Sequence, residues 1–156
     1  MKISDFLSKK AITVNLKNTS KEETIKELVD LLISSGEVDK KDRAKLVESL
    51  MAREALGSTA IGHNVGIPHT KIECVKRLVA AFGLSQRGVD FDSLDGEPVY
   101  IFFLLLAPQD SAGPHLKALA RISRLTKDKF FRDTLRQAKD AKNLVKIICQ
   151  EDEKRI

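Results

Sequence analysis

Three histidines are the residues of this sequence best suited to chemistry. His69 follows Pro68 at the end of residues 57–70, GSTAIGHNVGIPHT, where three glycines and one proline interrupt a mildly apolar run. Proline fixes the local φ, and glycines let other backbone or a ligand come close. Such a segment can present a stiffly held imidazole at a surface. Near physiological pH an imidazole is about half neutral, and the neutral ring carries the lone pair that a nucleophile needs. His115 follows Pro114 at the expected start of a helix. A helix N-terminus offers free N–H groups and partial positive charge, which favour a bound anion and a neutral ring. His63 precedes His69 by six residues.

Other chemistries find little support. His63 and His69 would need a third ligand to hold a metal, and there is neither an H-E-x-x-H pair nor a cysteine pair at ligand spacing, so no metal is expected. Cys74 and Cys149 sit among apolar neighbours and read as buried free thiols. Asp90, Asp92 and Asp95 miss the EF-hand pattern and read as solvated turn acids. A nucleotide P-loop, a G-x-S-x-G elbow and a G-x-G-x-x-G turn are all missing.

The elements that must position these residues follow from periodicity. Residues 20–35 read as a helix with Ser20 and Glu23 as a capping box, Ile25, Leu28, Val29 and Leu32 as its apolar face, and Gly36 as its stop. A second helix should start after Asp39, carry Ala44, Val47, Leu50 and Met51 inward, and end before Gly57. Residues 57–70 suggest short strands and turns. Leu78–Leu84 and Val99–Leu106 read as strands buried on both faces, joined by a polar loop, QRGVDFDSLDGEP. Pro114 suits a first helical turn, after which Leu116, Leu119, Ala120, Ser123 and Leu125 should pack inward. Asp128 and Asp140 are expected to cap two further helices, one through Phe131 and Leu135, the other through Leu144, Val145 and Ile148. This order predicts an α/β fold, a single domain with a mixed β-sheet flanked by helices on both faces.

With 42% hydrophobic residues the chain can build a core, and with only seven Phe, one Tyr and no Trp that core must be mainly aliphatic. The net charge of +5 is spread along the chain rather than gathered into a tail. It suits an acidic protein partner as well as nucleic acid. No RRM, KH or zinc-finger pattern is present and stacking aromatics are scarce, so no nucleic acid is expected as a partner. The opening MKISDFLSKK lacks the apolar core of a signal peptide. The longest apolar run, Val99 to Ala107, is far short of the roughly 20 residues a membrane span needs. A cytoplasmic protein without membrane insertion is expected.

Taken together, these segments resemble the mannitol/fructose/nitrogen-regulatory class of enzyme IIA proteins of the bacterial phosphotransferase system. The resemblance rests on REALGSTAIGHNVGIPH (53–69), FDSLDGEPVYIFFLLLAP (91–108) and GPHLKALARISRL (113–125). The opening MKISDFL is similar to the stand-alone nitrogen-regulatory members. The resemblance implies one type 2 phosphocarrier domain over residues 1–156. It makes His69 the phosphoryl acceptor, with the adduct on Nε2 and Nδ1–H held by a backbone carbonyl. It places His115 beside that ring, makes Arg53 a binder of phosphoryl oxygens, and sets Ser58 and Thr59 in the turn packed against the site. It implies an HPr-type phosphocarrier as donor, an enzyme IIB or a regulated target protein as the onward partner, and no cofactor. Lacking a transporter domain and a second carrier domain, the chain is expected to serve regulation. The alternatives are a fructose or mannitol uptake component and a regulatory binding module that transfers nothing. Three positions depart from the family pattern: His63 replaces a small polar residue such as asparagine, and Asn64 and Thr70 replace glycines. His63 could alter the ionisation of His69 or the shape of the docking face.

Overall fold

The computed structural model describes residues 1–155. The elements are β1 (Leu7–Thr13), α1 (Lys21–Ser34), α2 (Arg43–Ala55), β2 (Ala60–Gly62), β3 (Val65–Gly66), β4 (His69–Lys71), β5 (Val79–Val89), β6 (Val99–Ala107), α3 (Ala112–Thr126), α4 (Lys129–Arg136) and α5 (Ala141–Lys154). The strands form one mixed sheet in the order β1-β5-β6-β3-β2, with β4 also paired to β6. β5 and β6 are antiparallel, while β1 on β5, and β3 and β4 on β6, are parallel.

Side chains of a strand alternate between faces, so β6 feeds two cores. Ile101, Phe103 and Leu105 join Ala118, Ile122, Leu144 and Ile148 of α3 and α5 on one face. Phe102, Leu104 and Leu106 join Leu28, Leu32, Leu46 and Leu50 of α1 and α2 on the other. A sheet covered on both faces has no use for polar alternation in its central strands, which explains the unbroken apolar run of β6.

Local signals place several boundaries. At the end of α1, the N–H of Glu37 donates to Leu32 O (2.9 Å) and that of Gly36 to Ile33 O (3.0 Å), a Schellman pair that needs the positive φ of Gly36, +81°. The carboxylates of Asp128 and Asp140 accept from the N–H of Phe131 (3.1 Å) and Asn143 (2.7 Å), capping α4 and α5.

The structure departs from the sequence reading at five places. Ser20 is the N-cap residue of α1, but its side chain makes no capping bond, because its backbone is drawn into a bridge with Asp90. The buried stripe of α2 is Leu46, Val47, Leu50 and Glu54, which leaves Met51 half-buried and Ala44 exposed. β5 runs on through the polar residues to Val89, and Phe91 beyond it is fully buried. The inward face of α3 is His115, Ala118, Ile122, Leu125 and Thr126, while Leu116 is 66% exposed and Ala120 is also exposed. Cys74 and Cys149 are free thiols but only half-buried.

Candidate phosphoryl site

The segment 64–71 runs along one edge of β6 in two pieces. β3 pairs with Ile101 and Phe102, and β4 with Leu105 to Ala107. The break falls at Ile67 and Pro68, where proline has no N–H to give to the ladder. The chain resumes pairing at once, with Leu105 N–H donating to Pro68 O at 2.9 Å. His69 is therefore the first residue of β4, seated at a strand end that is fixed on both sides.

Register decides where its ring goes. His69 stands opposite Leu105, which belongs to the core under α3, and Thr70 stands opposite Leu106, which belongs to the core under α2. Thr70 accordingly shares a hydrogen bond of 2.5 Å with Ser49 of α2. The His69 ring lies on the α3 side, where its centroid is 5.3 Å from that of His115 with the planes at 59°.

Nδ1 of His69 lies 2.7 Å from the carbonyl oxygen of Ile67. A carbonyl only accepts, so Nδ1 carries the proton and Nε2 holds the free lone pair. Burial lowers the His69 pKa below its ordinary 6.5. The Ile67 bond pulls the other way, the charge of Arg53 lowers it and that of Glu54 raises it. His63 is not among these influences.

His115 is 6% exposed, and its Nε2 has no hydrogen-bond partner among the described residues. Burial, with the nearby charges of His69 and Lys71, lowers its pKa to about 4. Both rings are thus neutral at physiological pH. An orphaned buried nitrogen is costly unless a ligand completes it.

The end of α2 supplies the two charges that act on the His69 ring, Arg53 and Glu54. Arg53, in the last turn of α2, donates from Nη1 to Gly57 O at 2.9 Å, and Gly57 adopts a φ of +147°. Among the described residues Arg53 makes no salt bridge, so its charge is uncompensated. Ser58 Oγ donates to Phe91 O (2.6 Å), and both the N–H (3.2 Å) and the hydroxyl of Thr59 donate to the carboxylate of Glu54. Ser58 and Thr59 thus hold the turn to its surroundings.

Glu54 was not singled out from the sequence. Its signal was its phase: it continues the spacing of Val47 and Leu50, so a carboxylate occupies a core position of an amphipathic helix. Its salt-bridge partner, Lys21 at the start of α1, lies 3.1 Å away.

His63 and Asn64 form the two-residue tip of the β2–β3 hairpin, with φ of +59° and +63°. Two successive positive φ values define a type I′ turn, for which Asn-Gly is the favoured pair. His63, Ile61, Val65 and Ile67 face Ser123, Thr126 and Lys127 across a shallow depression of about 120 Å³.

Residues 5–151 match the family described as phosphoenolpyruvate-dependent sugar phosphotransferase system, EIIA 2. The chain is 38% identical over 149 residues to a nitrogen regulatory protein of Bradyrhizobium diazoefficiens, a match spanning 96% of this chain and 95% of that one. It is 37% identical over 152 residues to the fructose-specific EIIABC component of Bacillus subtilis; 97% of this chain matches only 24% of that longer protein. The crystal structure of the nitrogen regulatory protein IIA-Ntr from Neisseria meningitidis superposes with a TM-score of 0.84 at 32% identity, covering 94% of this chain and 98% of that one. No helix among the described residues is long and apolar enough to cross a membrane.

Proposed function

The chain belongs to the EIIA 2 family of the phosphoenolpyruvate-dependent sugar phosphotransferase system, and from that premise we propose that it is a cytoplasmic phosphocarrier of the nitrogen-regulatory type. Residues 1–156 act as one type 2 domain. His69 takes a phosphoryl group from a phosphorylated HPr-type carrier, then passes it to an enzyme IIB or reports its presence to a regulated target. The observation that carries this reading is the bond of Nδ1 to Ile67 O at 2.7 Å, which leaves Nε2 as the only nucleophilic atom of a neutral ring.

In the transfer, Nε2 attacks phosphorus in line. The Nε2–P bond forms as the donor's P–N bond breaks, and the bonding pair returns to the donor ring. Negative charge spreads over the equatorial oxygens of the group in flight. Nε2 of His115, on a ring whose centroid lies 5.3 Å from that of His69, lacks a protein partner among the described residues, and in the tautomer that protonates it is suited to donate to one of those oxygens. The uncompensated Arg53 guanidinium is suited to bind others. Both groups are held before the donor arrives, so little reorganisation is needed at the moment of transfer. The completed adduct adds up to ~2 negative charges, enough to make or break a docking face.

The deciding experiment incubates the protein with phosphoenolpyruvate, enzyme I and an HPr-type carrier, then maps acid-labile phosphate by intact mass. One adduct in the wild type and none in His69→Ala is expected. An adduct that persists in His69→Ala would move the acceptor elsewhere.

The regulatory role is supported by the higher identity to a nitrogen regulatory protein, 38%, than to a fructose-specific EIIA component of similar span, 30%.

A further inference from the structure

Two neighbouring residues of α2 carry opposite charges and meet different fates. Arg53 is left without a counter-ion among the described residues. Glu54 is 5% exposed, and its charge is answered from a distant part of the chain. Lys21 Nζ lies 3.1 Å from Glu54 Oε1 and 3.2 Å from Asp92 Oδ2, and sits 4.9 Å over the ring of Phe91. The Lys21 side chain is itself only 14% exposed.

A buried ion pair of this kind is weak evidence for stability, since well-packed apolar residues often do as well or better. An apolar residue at position 54 would simply extend the stripe of Leu46, Val47 and Leu50. Glu54 does, however, contribute to the field at the site. The charges of Arg53 and Glu54 are both felt by the His69 ring, with opposite effects. A buried, unanswered carboxylate there would oppose the arrival of a phosphoryl group and offset the attraction of Arg53.

We propose that Lys21 is a positioning residue for phosphoryl transfer: paired with Glu54 from the start of α1, and shared with Asp92, it offsets the carboxylate beside Arg53 that would otherwise oppose the incoming phosphoryl oxygens. Glu54 meanwhile holds the 57–60 turn through Thr59, so the fold keeps the brace without its repulsion. The inference rests on the reading of His69 as acceptor and gives Lys21, far from it in sequence, a part in the rate.

The test is transfer from a phosphorylated HPr-type carrier under steady-state conditions, with each variant first shown to be folded by circular dichroism. Lys21→Met should lower kcat ~10-fold while KM for the carrier stays within ~2-fold, the signature of a lost transition-state interaction. Adding Glu54→Gln to Lys21→Met should restore most of that loss, because the offending charge is gone. Lys21→Arg, which keeps the cation, should also restore it. In an Arg53→Ala background, Lys21→Met should cost less than it does alone.

A double variant as slow as Lys21→Met, or slower, would make the pair a plain structural brace and overturn the proposal. So would a Lys21→Met protein with wild-type kcat. Should Lys21→Met fail to fold, Lys21→Gln is measured in its place: the same ~10-fold fall in kcat is expected, and a wild-type kcat overturns the proposal. A wild-type protein that accepts no phosphoryl group would bring down the acceptor reading and this inference with it; slow variants are informative only beside a working wild type.

Discussion

Acid should weaken this fold through His115 in particular. The ring titrates at about 4 in the folded chain, against an ordinary value of 6.5. The unfolded chain therefore binds the proton more tightly, and stability falls as pH drops from the upper value toward the lower one. At about pH 4.5 the unfolded ring is almost fully charged while the folded ring is mostly neutral, so ~2.5 kcal/mol of the stability present at neutral pH is lost, at ~1.4 kcal/mol for each tenfold difference in proton affinity. Burial is the larger cause, and part of the remainder is repulsion from His69, so the two rings act together. Other groups titrate in this range as well, so the measurement is a difference. Urea unfolding of wild type and His115→Gln at about pH 7.5 and about pH 4.5 should show the wild type losing ~2 kcal/mol more than the variant on acidification. The His115 ring should titrate by NMR near 4. Equal losses in the two proteins, or a ring that titrates near 6.5, would refute the argument.

Three further outcomes follow from the same geometry. Because His69 titrates below its ordinary 6.5 and only the neutral ring attacks, the transfer rate should be level across neutral pH and fall only on acidification below that value; an inflection at or above 6.5 in a pH–rate profile of single-turnover transfer would contradict this. His63→Asn with Asn64→Gly gives the β2–β3 hairpin its favoured type I′ pair and should raise stability by ~1 kcal/mol in chemical unfolding; no gain would mean that the tip is unstrained. Asp152 is 2% exposed and accepts from Ile3 N–H and Arg121 Nε, both at 2.6 Å, so Asp152→Ala strands a partly buried guanidinium and should cost ~3 kcal/mol, read as a lowered Tm; a cost under ~1 kcal/mol would show the pair to be dispensable.

What could be read in advance was local. Asp128 and Asp140 as caps, Gly36 as a stop and the apolar runs of β5 and β6 each depend on a few adjacent residues. The misreadings arose where tertiary partners overrode local pattern. Leu116 looked like the start of an apolar face, but α3 begins at Ala112 and its inward stripe is led by His115, with Leu116 turned to solvent. Ser20 had the form of a capping residue, yet its backbone is held by Asp90 from another part of the chain. Phe91 lay in a polar stretch and is fully buried beside Phe102, with ring centroids 5.2 Å apart. Glu54 was hidden because a carboxylate at a helix end normally faces water, and its partner Lys21 is remote in sequence.

The corner that holds the histidines is assembled from both faces of the sheet, and this explains why its parts are scattered along the chain. His115 comes from the α3 face and Arg53 from α2 on the opposite face. A residue of β4 can point to only one of these, and the register with β6 commits His69 to α3 and Thr70 to α2. A group on α2 can then act at His69 only around the end of the strand, which is where the 57–60 turn runs. Slippage of β4 by one residue would exchange the two side chains and bury the imidazole beneath α2. Pro68 adds a restraint against this: its ring fixes φ at the residue whose carbonyl accepts from Leu105 N–H, which holds the chain at the entry to β4. Replacing Pro68 by alanine therefore removes a constraint on register rather than a contact. The signature of that role would be a His69 ring whose NMR resonances broaden or double, while the resonances of α1 and α5 stay single. A single sharp set of His69 resonances in Pro68→Ala would show that pairing with Leu105 to Ala107 fixes the register unaided.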